Sequence, residues 1–439
     1  MRHLLCFAVL SLAASAGAAA PPPAGGDPLA RRAEAIRTLF AAEPKVPDDL
    51  FAPPFVATLP PAKVAAVTKG LFDEGGTLEE LREVKREGPF TGRYEGRFAK
   101  GVVAPVTVVV EAEPPHRVTG FWIGAFAKPV QAATLAELAP RFGELPGEVS
   151  FAACKLGDGG PEVVAGREPD RALGLGSTFK LWILGTLARD VEEGRHRWDE
   201  VARLEKRDRS LPSGLLQDWP EGAPVTLHTL AALMISRSDN TATDTLLRAL
   251  GRERVEETMS RMGVAAAARN RPFLSTAELF ALKGVMARDR SAAFAAMDET
   301  ARRKALAEVA AADLTKFTDW SAPYELGRLE WFASASDLCR TLDWLRKAAA
   351  RKGGEPLLGV LSINPGLPQD GQFAYHGFKG GSEPGVVSHA HLVRTKDGAW
   401  WALAAVWNDA AKPVESPKLH GLLERAFDLV AAPPAQAAK

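Results

Sequence analysis

Apolar side chains recur at helical spacing over residues 30–42 and again over 62–73, where Leu, Ile, Val and Phe return every three or four positions. From Phe90 the pattern changes, and residues 91–98, 102–111 and 116–123 read as three strands separated by turn residues. Helices followed by a run of antiparallel strands predict a compact α+β unit over 28–126. Near Pro129 the pattern restarts. It predicts a helix over 135–142, strands over 148–156 and 161–165, and a long helical middle over 177–351. Three more strands follow, over 373–380, 386–395 and 400–407, and then an amphipathic helix over 416–431. The order helix, two strands, many helices, three strands, helix brings both ends of a second domain, 129–432, to one sheet. No internal repeat is visible.

The first residues follow another pattern. Arg2 and His3 precede a nearly unbroken apolar run over 4–12, and small residues continue through Ala18. That is the order of a secretory signal peptide, with Ala16-Gly17-Ala18 as the cleavage site. The expected division is a signal peptide over 1–20, a Pro- and Gly-rich linker over 21–27, and an exported product, periplasmic or secreted. Cys6 lies too early to carry a lipid anchor. No later segment approaches the ~20 apolar residues of a membrane-spanning helix, so no stable membrane span is expected.

Composition changes the picture mainly by exclusion. Of 439 residues, 46% are hydrophobic and 25% charged, which excludes disorder over most of the length. Lys plus Arg and Asp plus Glu both number 54, so nothing resembles the basic surface of a nucleic-acid-binding protein, and a small-molecule substrate is the better expectation. Cys154 and Cys339, the two cysteines that outlast the signal peptide, make no disulfide framework and read as buried small hydrophobes. No Cys or His cluster has zinc spacing. His389 and His391 would share one face of a strand, where a plain sheet-face pair is the simpler reading than a metal site. No cofactor and no metal are implied.

Three short motifs carry candidate chemistry. In Ser177-Thr178-Phe179-Lys180 a serine stands at the mouth of an apolar helix, where N–H groups are unpaired, and a lysine three residues on shares its face. Serine needs a base beside it, and a lysine desolvated there can serve. The plainer alternative makes Ser177 a helix cap and Lys180 a solvated charge. Ser238-Asp239-Asn240 forms a corner between two helices, either a capping loop or a place for Ser238 to shuttle protons and Asn240 to bond a substrate amide. Lys379-Gly380-Gly381-Ser382 lies at a strand end. The glycines allow close approach of a ligand, Lys379 can hold a carboxylate, and the Ser382 N–H can join that of Ser177 as an oxyanion hole. The alternative is a strand that simply ends in the Pro384-Gly385 turn.

Together and in this order, S-x-x-K, S-D-N and K-[TS]-G belong to the serine β-lactamases and penicillin-binding proteins. From about Pro129 to Leu429 the chain resembles the class A β-lactamase family. With the front domain it resembles two-domain β-lactamase-like serine hydrolases that carry a small cystatin- or steroid-isomerase-like domain first. The resemblance implies an α+β protein with a β-lactamase/transpeptidase-like domain, an antiparallel sheet with a helical subdomain. It implies Ser177 as the acylated nucleophile, Lys180 as its base and Ser238 as a proton relay. Asn240, Lys379, Gly381 and Ser382 would bind substrate. The expected reaction is hydrolysis of β-lactam amides. The rivals are an esterase or thioesterase acting on small acylated substrates, and a penicillin-binding sensor that stays acylated.

Two departures qualify the resemblance. Gly380 replaces the hydroxyl residue of the third motif, a loss that Ser382 can offset. No E-x-x-L-N string supplies the deacylating glutamate. Glu278 falls in roughly the right stretch, but an acid early in a helix after the Pro272 turn is the favoured reading. The interval from Ser238 to Lys379 exceeds the family norm. The extra chain within 284–330, with Trp320, Tyr324, Trp331 and Phe332, is a candidate pocket rim, although such aromatics are more often core.

Overall fold

The computed structural model describes residues 27–86, 88–124, 126, 128–318, 321–367 and 371–432. The expected signal peptide, the expected linker apart from Asp27, and Trp320 lie outside them. The chain divides into two units, Met1–Val130 and Gln131–Lys439.

In the first unit, helix α1 (Pro28–Arg37) begins where the Asp27 carboxylate accepts the Leu29 N–H at 3.0 Å, satisfying a donor that the helix itself cannot. Leu29, Ala33 and Ile36 form its buried face. Helices α2 (Pro53–Thr58) and α3 (Pro61–Gly75) follow. Strands β1 (Leu78–Arg86), β2 (Thr91–Phe98), β3 (Val102–Val110) and β4 (Val118–Ile123) then form an antiparallel meander in chain order. Three strands were expected, and β1 is the addition. Its Leu-Glu-Glu-Leu-Arg-Glu-Val-Lys-Arg lacks apolar alternation because it is an edge strand paired only with β2, and charges on such an edge discourage further pairing. Tyr94, Phe98, Val106 and Val108 from the sheet close a core with Leu29, Ile36 and Phe40.

The second unit opens with the short helix α4 (Leu135–Leu138), which passes into a 3₁₀ turn. Strands β5 (Glu148–Gly157) and β6 (Gly160–Arg167) form a hairpin. The long middle carries the helices α5 (Lys180–Glu192), α6 (Leu227–Ser236), α7 (Asn240–Leu250), α8 (Arg252–Arg261), α9 (Thr276–Phe280), α10 (Arg288–Ala296), α11 (Glu299–Ala310), α12 (Ala335–Ala349) and α13 (Pro356–Ser362). The sequence predicted a helical middle over 177–351, and short strands interrupt it. β7 (Leu173–Gly174) pairs with β10 (Phe332–Ala333), and β8 (Val201–Arg203) with β9 (Pro224–Thr226). Such two- and three-residue ladders are too short to leave a periodicity.

Strands β11 (Tyr375–Glu383), β12 (Val386–Arg394) and β13 (Trp400–Asn408) complete an antiparallel sheet in the order β11-β12-β13-β5-β6, and helix α14 (Ser416–Ala431) ends the described chain. Both domain ends thus meet in one sheet. Its faces are covered differently. Cross-strand partners share a face, so Cys154 and Ala402 lie on one side, where Cys339 of α12 reaches the Ala402 carbonyl. Leu403 and His391 lie on the other, where Phe427 of α14 packs edge-on against His391. With both faces covered, β12 is buried from Val386 through Val393. Cys154 and Cys339 are free, buried thiols. Among the described residues no helix is long and apolar enough to cross a membrane.

Candidate active site

Ser177 sits in a 3₁₀ turn, Gly176–Phe179, that hands over to α5 at Lys180. The turn and β11 touch backbone to backbone. Gly176 has φ +52°, and a Cβ there would lie 2.9 Å from the Ser382 nitrogen. A Cβ on Gly381 would lie 2.1 Å from the Leu175 carbonyl oxygen and 2.6 Å from the Ser177 nitrogen. Only glycine permits this approach. The contact brings Ser382 of β11 beside the Ser177 turn, as an oxyanion hole built from their two N–H groups requires. β11 therefore runs on through Ser382 instead of ending at Gly380. The Thr178 and Ser388 hydroxyls meet at 2.6 Å, and Ser388 donates to the Leu175 carbonyl at 2.6 Å. The Gly176 N–H donates to Glu330 at 3.2 Å. Burial pushes the Glu330 carboxyl up, but the Lys283 ammonium at 2.6 Å and hydrogen bonds from Glu383 and the Gly176 N–H together hold it below its ordinary value. Gly381→Ala should lower the acylation rate about 10²-fold, the cost of misplacing reacting groups by about 1 Å. Stopped-flow acylation at rates within threefold of the parent would show that this contact is dispensable.

The two lysines converge on one hydroxyl. Lys180 is wholly buried at the start of α5, and its Nζ donates to the Ser238 carbonyl (2.7 Å), the Ser238 Oγ (3.1 Å) and Asn240 Oδ1 (2.6 Å). Lys379 Nζ reaches the same Ser238 Oγ at 3.1 Å and the Gly380 carbonyl at 2.5 Å. Burial, and then the Lys379 charge, push Lys180 well below the ordinary lysine value. Burial brings Lys379 down to about 7. Ser238 holds a left-handed φ of 55°, uncommon for a residue with a side chain. Asp239 fixes that corner, capping α7 through the Ala242 N–H (2.8 Å) and accepting the Leu215 and Leu216 N–H groups at 2.6 and 3.0 Å. Asn240 is spent within the protein. Besides Lys180, its amide donates to the Leu211 carbonyl at 2.9 Å, so in this arrangement it positions the lysine and does not face the cleft.

Ser177, Ser238, Lys379, Gly381 and Ser382 line one cleft of about 430 Å³. Ser213, Arg237, His389 and His420 line it too, and no local signal in the sequence marked them except the His389-His391 pair. Ser213 donates to the Ser238 carbonyl at 2.7 Å. Among the described residues no Asp or Glu lines this cleft, and no His, Cys, Asp or Glu group there could hold a metal ion.

Glu278 is elsewhere. Its carboxylate takes two Arg252 bonds, at 2.8 and 3.0 Å, and closes a capping box with Ser275 at the start of α9. Glu278→Gln should cost about 1–3 kcal/mol of stability, by weakening a charge-assisted pair, and leave the lifetime of any acyl-enzyme within threefold. A lifetime tenfold longer would return Glu278 to the mechanism. Trp331 and Phe332 do not rim the cleft, for they are core. Trp331 stacks on Phe179 with ring centres 3.6 Å apart and donates to the Leu274 carbonyl at 3.1 Å. Tyr324 lies under the Arg288 guanidinium, 3.7 Å from its ring centre.

The chain is similar to several solved structures. A β-lactamase from Sphaerobacter thermophilus is 20% identical, with a TM-score of 0.48, over 70% of this chain and 100% of its own. A β-lactamase from Xanthomonas campestris is 16% identical, with a TM-score of 0.48, over 68% and 100%. One from Chitinophaga pinensis is 17% identical, with a TM-score of 0.43, over 68% and 96%. No curated protein matches the chain. The Beta-lactamase enzyme family matches residues 132–420, well over half of the chain and all three motifs, and the chain belongs to that family as a β-lactamase-like serine hydrolase.

Proposed function

We propose that the protein is an exported hydrolase that opens β-lactam amides by acylating Ser177. The observation that carries this reading is the convergence of Lys180 and Lys379 on the Ser238 hydroxyl, in the cleft that Ser177 and Ser382 also line. Lys180 takes the Ser177 proton as the oxygen attacks the carbonyl, Ser238 relays it to the departing nitrogen, and the Ser177 and Ser382 N–H groups hold the oxyanion. Lys379 attracts the substrate carboxylate. Export rests on the first twenty residues, and the likeness of the first unit to cystatin- or steroid-isomerase-like domains rests on the two-domain resemblance.

Among the described residues no carboxylate lines the cleft, which favours slow release. A general base typically contributes 10²–10⁴-fold, so hindered penicilloyl groups should linger while small acetyl groups leave sooner. The test is intact-mass spectrometry with benzylpenicillin and with an activated acetyl ester. The expected result is a penicilloyl adduct that outlives many ester turnovers. Rapid linear penicillin turnover would refute slow release, and the lack of any adduct would refute the acyl-enzyme.

A further inference from the structure

We propose that Glu330 is a positioning residue that locks the Ser177 turn to the end of β11, and that Glu383 serves it as a hydrogen-bond donor. The positioning role rests on the acyl-enzyme reading above. The oxyanion hole of that reading takes one N–H from Ser177 and one from Ser382. Each of these lies one residue from a group bound by a cluster of Lys283, Glu330 and Glu383. On one side the Gly176 N–H, just before Ser177, donates to Glu330 Oε2 at 3.2 Å. On the other, Glu383 follows Ser382 at the end of β11 and accepts from Lys283 Nζ. Lys283 Nζ also donates to Glu330 Oε1 at 2.6 Å, and so bridges the two sides.

Local structure explains why Glu330 reaches the turn. β7 and β10 pair Leu173 with Ala333 and Gly174 with Phe332, and the Leu175 N–H then donates to the Trp331 carbonyl at 2.9 Å. One residue further on, the Gly176 N–H meets the Glu330 side chain in place of a backbone carbonyl. A Cβ on Gly174 would lie 2.7 Å from Glu330 Cγ, so glycine there makes room for the carboxylate arm. Lys283 stands just before the extra chain within 284–330 and Glu330 ends it, so the same pair closes the base of that segment.

Burial decides where the proton lies. The Lys283 and Glu330 side chains are wholly shielded from solvent, and that of Glu383 is 8% exposed. Two ionised carboxylates on one ammonium would leave a net negative charge buried, which costs more than neutralising one of them. Glu330 stays ionised, because its oxygens take N–H donors from Lys283, Gly176 and, at 3.2 Å, the Trp331 backbone. Glu383 lies within hydrogen-bond reach of Glu330 and, as a neutral acid, gives it a fourth donor. Burial, and then the Glu330 charge, push Glu383 well above the ordinary carboxyl value. A glutamine at 383 keeps this pattern, with its oxygen toward Lys283 and its amide N–H toward Glu330. A glutamine at 330 breaks it, because its NH₂ must face either the Lys283 donor or the Gly176 donor.

The test reads acylation by benzylpenicillin through rapid-quench intact mass. Glu330→Gln should lower the limiting rate about 10²-fold, the cost of misplacing reacting groups by about 1 Å, and leave the half-saturating concentration within threefold. That split separates positioning from a general loss of structure, which melting curves monitor. Glu383→Met, which donates nothing, should slow the step about tenfold, and Glu383→Gln, which restores the donor, should bring it back to within threefold of the parent. In the infrared at neutral pH, the parent minus Glu383→Gln should show a carboxylic-acid carbonyl band. A limiting rate in Glu330→Gln within threefold of the parent overturns the positioning role. If that variant does not fold, equal rates in Glu383→Met and Glu383→Gln overturn it. A carboxylate band in place of the acid band overturns the donor role of Glu383. A parent that forms no adduct overturns the acyl-enzyme reading, whatever the infrared shows, and the positioning role with it.

Discussion

Ser177→Ala should abolish covalent labelling by benzylpenicillin while leaving the protein folded. The cleft holds other hydroxyls, on Ser213, Ser236, Ser238, Ser382 and Ser416. Ser238 is the nearest rival, since Lys180 and Lys379 both reach its Oγ at 3.1 Å. Two neighbouring ammonium donors stabilise an accepting oxygen but leave it no aligned oxyanion site. Ser177 alone stands where the turn backbone meets Gly381 and Ser382. Its hydroxyl makes no hydrogen bond among the described residues, so its loss leaves no buried partner unpaired, and stability should move by less than about 0.5 kcal/mol. Intact mass reads the adduct and thermal melting reads the fold. A penicilloyl group mapped to Ser238 in the variant, or on any other cleft serine, would move the nucleophile.

Lys180→Ala should slow acylation about 10³-fold, within the range that a positioned base contributes, and should regain part of it at high pH as hydroxide substitutes. The parent has the opposite profile. Burial and the Lys379 charge hold Lys180 well below its ordinary value, so its neutral, basic form is reached at lower pH than in an exposed lysine. As pH falls through that depressed value Lys180 gains a proton and acylation is lost. On the alkaline side Lys379, brought down to about 7 by burial, loses the charge that attracts an anionic substrate. Anionic β-lactams should therefore show a bell, and neutral esters only its acid limb. Lys180→Arg should not rescue, because a guanidinium stays charged and cannot accept the proton. Acylation by Lys180→Ala at the parental rate and pH dependence would remove the lysine from the mechanism.

The elements that carry the three motifs were legible in the sequence, because each motif is written in contiguous residues. Ser177 with Lys180, Ser238 with Asn240, and Lys379 through Ser382 are each set by a helix mouth, a corner or a strand, and local spacing reports such elements directly. The sheet was legible for the same reason, since β5, β12 and β13 are apolar runs that both faces require. Where an element lies at an edge, as β1 does, burial no longer selects the side chains and the pattern vanishes. What only the tertiary structure decided is which partner each polar group finds. Glu278 could pair with the cleft or with Arg252, and α8 supplies the arginine. Asn240 could face substrate or hold Lys180, and the depth of α5 hands it the lysine. His376, His389, His391 and His420 come from two strands and a helix far apart in the chain, and only the β11–β12 register with α14 above it stacks them. Periodicity reports which face a residue takes. Hydrogen bonds, over about 3 Å, depend on the crossing of elements that no local window contains.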